Sequence, residues 1–133
     1  LSDGDEDIFQ RRSIRLPRSE TSGGALAEYS AFGLEEYFGE VLPTLSFRLK
    51  DGRQFAKPYH RLDEVSFDPS HGVGLEYPDV AITLRGRNLA PLYVLICAYK
   101  VRWVQEAGRA LTLLVPESET VVEAITRGPG QYA

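Results

Sequence analysis

The sequence is poor in the residues that carry chemistry. It holds one cysteine, Cys97, in 133 residues, so no internal disulfide can form. That economy suits a reducing compartment. Cys97 lies in the apolar run 92–99 and reads as a small buried hydrophobe. No histidine stands near it to activate a thiolate. Phosphate-binding loops, paired zinc ligands, the nucleophile elbow and the His-Glu-x-x-His zinc pattern are all missing. No catalytic residue, metal ligand or cofactor is therefore assigned. No apolar run approaches the roughly 20 residues of a membrane span. The acidic start (Asp3, Asp5, Glu6, Asp7) lacks the basic and apolar regions of a secretory signal. The expectation is a soluble, cytoplasmic protein that does not engage a membrane.

The residues that are present describe an ordinary globular chain, 43% hydrophobic and 26% charged, able to bury a core without disulfide or metal. The net charge of −4 disfavours general nucleic-acid binding but leaves room for a local basic stripe. One α+β domain is expected over 24–127. Before it lies a charged tail, 1–23, with Arg11, Arg12, Arg15 and Arg18 and too few apolar residues to offset the entropy of ordering. Ile14 and Leu16 alternate with Arg15 and suit an added edge strand. A Gly/Pro-rich end, 128–133, is expected to be disordered.

Periodicity supplies the elements. Leu26, Tyr29, Phe32, Tyr37, Phe38 and Val41, at mixed spacings of three and four, predict one or two short helices broken at Gly33. Leu45, Phe47 and Leu49 alternate with Ser46, Arg48 and Lys50, which predicts a strand. Asp51-Gly52 turns it into a hairpin whose return strand carries Phe55 and Tyr59 and ends near Pro58. Val65 and Phe67, then Val73, Leu75 and Tyr77, then Val80, Ile82 and Leu84 continue the alternation, with turns at 68–72 and 78–79. The fold expected is an antiparallel meander of about five short strands, as an open curled sheet or a small barrel. Asn88 is placed as the N-cap of a long helix, 88–106, packed on the sheet through Leu89, Leu92, Tyr93, Ile96, Tyr99 and Trp103. A competing reading ends that helix near Lys100 and makes 101–104 a strand. Leu111, Leu113 and Val115 predict a last strand, and Val121, Val122 and Ile125 a short closing helix.

Two polar clusters stand out. His60, Asp63, Asp68 and His71 fall within a dozen residues, a density that would suit a metal or a general base with its orienting acid. Turn chemistry explains Asp68 and His71 equally well. The second cluster is basic: Arg48, Lys50, Arg53, Lys57 and Arg61, then Arg85 and Arg87. With Tyr59 and Tyr77 as stacking surfaces, a sheet face of this kind would hold single-stranded nucleic acid through Arg48, Lys50, Arg53, Arg85 and Arg87. The same residues are normal on a solvated antiparallel face.

The stretch Leu49-Lys50-Asp51-Gly52-Arg53-Gln54-Phe55, with Tyr59 and Leu62-Asp63, resembles the first motif of the Sm-like RNA-binding barrels. Leu84-Arg85-Gly86-Arg87-Asn88-Leu89 resembles their second motif, and the resemblance covers about 34–89. It implies a small closed barrel that binds RNA. Lys57 stands where that family has a glycine, and Ser66 and Phe67 stand where it has its base-contacting asparagine. The chain also continues well beyond the second motif.

The function expected first is a non-catalytic interaction domain acting through a sheet face or helix, as a homo-oligomer or with a protein partner. Tyr93, Tyr99 and Trp103 are its interface candidates, being amphipathic groups enriched at interfaces. RNA or single-stranded DNA binding is the alternative. An enzyme or metal site using His60, Asp63 and His71 is the remote one.

Overall fold

Alternation between 44 and 58 makes the hairpin that the sequence predicts: β2 (Thr44–Arg48) and β3 (Gln54–Pro58), with Phe47 paired to Phe55. The two rings stack at 4.7 Å. Gly52 closes the loop with φ +95°, a left-handed conformation that a side chain disfavours, and its N–H donates to the Leu49 carbonyl at 3.0 Å. The structure, a computed structural model, describes residues 29–34 and 41–131. The tail 1–23 and most of the predicted N-terminal helices lie outside those residues. Within the described part, Phe32–Leu34 is a strand, β1, so no helix covers Gly33.

The fold is α+β with two open four-stranded sheets. The expected meander divides at residues 58–61. Pro58 ends β3, and a 3₁₀ turn over Tyr59–Arg61 drops the Tyr59 ring into the core. The Tyr59 hydroxyl donates to the Val101 carbonyl at 2.8 Å. After this corner the chain starts a second sheet: β4 (Glu64–Asp68), β5 (Gly72–Glu76) and β6 (Val80–Arg87). These three are sequential and antiparallel, and the turns at 68–72 and 78–79 fall where expected. The single barrel implied by the Sm-like motifs does not form: residues 49–55 belong to the first sheet and residues 84–87 to the second.

The expected long helix is two elements. α1 covers Ala90–Cys97 and β7 covers Val101–Gln105. Asn88 is not the cap. It sits at φ +53° and its side-chain amide donates to the carbonyls of Glu117 and Glu119, holding the later loop. Tyr99 stops the helix by adopting φ +61°, and the Lys100 N–H returns to the Leu95 carbonyl at 3.0 Å. Stacking of Tyr99 on Tyr59, with centroids 4.4 Å apart, holds a conformation that a glycine would take more easily. β7 then inserts between β1, antiparallel, and β2, parallel.

Two further elements exchange type. Residues Arg109–Leu114 form helix α2, not a strand, and Val121–Pro129 form β8, not a helix. The helix-like spacing of Val122 and Ile125 comes from a bulge. Arg85 pairs with Ala124 and Gly86 with Val122, so Glu123 is an extra residue and both apolar side chains face inward. β8 completes the second sheet beside β6 and runs through Pro129, which pairs with Val80.

One apolar core lies between the sheets and under α1. Leu45, Phe47, Val101 and Val104 come from the first sheet, Val73, Leu75, Ile82 and Leu84 from the second, and Leu92 and Ile96 from the helix. Glu106 and Tyr29 join the sheets where β7 meets β8. The Glu106 carboxylate accepts the Lys50 N–H at 2.9 Å and the Ile125 N–H at 2.8 Å. The Tyr29 hydroxyl accepts from the Val122 N–H at 3.2 Å and donates to the Gln105 carbonyl at 3.2 Å. Burial pushes that hydroxyl up to about 12. Among the described residues no helix is long and apolar enough to cross a membrane.

Candidate functional site

Turning Leu45 and Phe47 inward forces Ser46 and Arg48 outward. The parallel register of β2 and β7 sets Ser46 beside Trp103 and Arg48 beside Gln105. On the other side of β7, Trp103 pairs with Gly33. A Cβ at Gly33 would overlap the indole, so the bare backbone of β1 is what lets the ring lie down on the sheet. The Arg48 guanidinium carbon is 4.2 Å from the Trp103 ring centroid, in cation–π contact. Around this pair lies a shallow depression of about 290 Å³, lined by Ser46, Arg48, Gln54, Arg102 and Trp103, with Leu42, Pro43 and Thr44 at one end.

No carboxylate lines that depression among the described residues. Arg48 also has no ion pair among them. The other basic candidates are placed differently. Lys50 and Arg53 are on the hairpin loop, and Arg53 pairs with Asp51 at 2.9 Å. The Arg53 backbone N–H and then its side chain hold the Asp51 carboxyl below its ordinary range. Lys57 pairs with Asp79 at 3.0 Å and holds that carboxyl low too. Arg85 is exposed on the second sheet, whereas Arg48 lies on the first. Arg87 is partly buried and donates to the carbonyls of Val115 at 2.6 Å and Pro116 at 3.1 Å. The five basic residues thus do not share one face. Tyr59 and Tyr77 are no stacking surface either, being 1% and 0% exposed, with burial raising both hydroxyls.

The histidine cluster is drawn apart. His60 lies in the 3₁₀ turn before β4, and His71 in the turn after it, at opposite ends of the β4–β5 hairpin. His71 Nδ1 is 3.1 Å from Asp68 Oδ2, and Asp68 Oδ1 accepts the Ser70 N–H at 2.8 Å. The Ser70 N–H, then His71, keep the Asp68 carboxyl low. This is turn chemistry. No group of three or more metal-ligating side chains gathers among the described residues. Cys97 is exposed, not buried, because the short helix turns Leu92 and Ile96 inward instead.

Of the interface candidates, Tyr93 stacks on Phe67 at 5.8 Å and Tyr99 on Tyr59, so both rings are engaged within the fold. Trp103 is the one that reaches the outer sheet face. Its strand partners Gly33 and Ser46 come from distant segments and meet it only through strand pairing, and Gln54 lines the same depression as the partner of Arg48. Set beside known protein families, curated proteins and solved structures, the chain matches none of them.

Proposed function

We propose that this chain is a non-catalytic binding domain that engages its partner through the outer face of the first sheet. The observation that carries the reading is the Trp103–Arg48 pair. A tryptophan and an arginine are the residues that most often dominate binding energy. Here they are mutually stacked and seated on a glycine, so little side-chain freedom is left to lose on binding. The test is amide NMR of the full chain, first against its own concentration and then with a uridylate octamer, octaglutamate and octalysine. Shifts at Ser46, Arg48, Gln54 and Trp103 with at least one of these, lost in Trp103→Ala, support the reading. Silence at those four amides under every condition would overturn it.

A second reading, self-association, rests on a separate observation. Leu113 and Leu114 of α2 are 74% and 62% exposed, adjacent apolar side chains with no cover among the described residues. Light scattering of the chain and of Leu113→Glu tests it: an oligomer that the variant dissociates supports self-association, and a monomer at high concentration removes it.

A further inference from the structure

We infer that the Arg48–Trp103 depression is a subsite for one nucleotide unit, a phosphate joined to a planar base, supplied either as a free nucleotide or as one residue of a single strand. The inference rests on the reading of this face as the binding surface and names its ligand.

Charge is the first argument. Among the described residues, Arg48 borders the depression without an ion pair and no carboxylate lines it. An arginine with no carboxylate partner favours an anion.

The second argument is geometric. Arg48 lies against the indole and pairs with no acid among the described residues, so its planar fork of N–H donors is preset and unfilled by an ion pair there. Such a fork matches the paired oxygens of a phosphate. The hydroxyls of Ser46 and Thr44 and the amide of Gln54 add uncharged donors around it.

The third argument is shape. A guanidinium stacked on an indole presents flat surface of the kind on which bases stack. At about 290 Å³ the depression sits at the small end of ligand sites and suits one nucleotide unit. An acidic peptide would satisfy the charge but leave the flat layer unused.

Trp103 is the only tryptophan, so its emission reports this site alone. The experiment titrates the full chain at low salt with inorganic phosphate, adenosine monophosphate, a uridylate octamer and octaglutamate. Adenosine monophosphate is expected to quench Trp103 and to bind about tenfold more tightly than inorganic phosphate, the margin that base stacking supplies. Arg48→Lys, which keeps the charge but loses the plane and the fork, is expected to reduce that affinity about tenfold while the amide spectrum stays folded. Gln54→Ala provides a second variant, with a smaller loss. An octamer that binds more tightly than the mononucleotide identifies a strand as the source; equal affinities identify the free nucleotide. Octaglutamate binding as tightly as the nucleotides, or phosphate as tightly as adenosine monophosphate, would overturn the inference while leaving the binding face in place. Absence of nucleotide binding with octaglutamate still bound, or with octalysine still shifting the amides of this face, would do the same.

Discussion

On its outer side the first sheet carries Arg48, Trp103 and Gln54, whereas the corresponding hollow of the second sheet is lined by Glu64, Ser66, Gly74, Glu76 and Thr83. The inner sides are alike, both filled with valine, leucine and aromatic residues of one core. Their construction differs. β4, β5 and β6 follow one another as hairpins, so the hollow on the second sheet is lined by residues close in sequence, although β8 joins that sheet from a distant segment. The first sheet places β7 between β1 and β2, which brings Gly33, Ser46 and Trp103 together from three distant segments. The non-local sheet thus brings a bulky aromatic and its cation together, while the hollow between the hairpin-linked strands is lined by small and acidic groups.

The contrast depends first on the two sheets being held together. Glu106→Ala removes the acceptor of two backbone N–H groups, one on the β2–β3 loop and one on β8. It is expected to cost about 2–3 kcal/mol in urea unfolding. A loss within experimental error would mean that the apolar core and the Tyr29 hydroxyl join the sheets without Glu106.

Glycines on the two outer faces give the next largest effect. Gly33→Ala drives a methyl group into the Trp103 ring, with an expected cost of about 1–3 kcal/mol and a change in Trp103 emission. Gly74→Ala meets only the Ser66 hydroxyl, which can swing aside, so its cost is expected within about 0.5 kcal/mol. Equal costs would erase the distinction between the faces.

Arg48→Ala removes the cation from the indole, and about 0.5–1 kcal/mol of stability should go with it. Trp103 emission should shift, whereas Arg85→Ala on the second sheet should leave it unchanged. The smallest effect concerns pH. Hydrogen bonding from Lys57 depresses the Asp79 carboxyl, so the pair's contribution is complete above the unfolded aspartate value and fades as pH falls through the lower folded value. Carboxyl NMR should show Asp79 titrating below the ordinary aspartate range, and Lys57→Gln should raise it.

Much of the second sheet was legible because alternation and turn residues act locally: Val73, Leu75, Ile82 and Leu84 are buried as their periodicity requires. Besides α2, three elements differ from the expectation for reasons that only tertiary structure supplies. Tyr99 ends α1 in a conformation disfavoured for tyrosine and sustained by its stack on Tyr59. The bulge at Glu123 gives a strand the spacing of a helix. Phe32–Leu34 becomes a strand only because β7 lies beside it. The site was half legible. Arg48 was marked by its outward parity and Trp103 by its size, but their meeting needed the parallel pairing of β2 with β7. Arg85 and Arg87 carried the same sequence signal as Arg48 and went elsewhere, one to the opposite sheet and one to two carbonyls.

The most direct test reverses one charge on each face and measures affinity for the uridylate octamer at low salt. Arg48→Glu is expected to abolish binding and Arg85→Glu to leave it nearly unchanged. Binding that survives Arg48→Glu and is lost in Arg85→Glu would place the site on the second sheet and contradict the account.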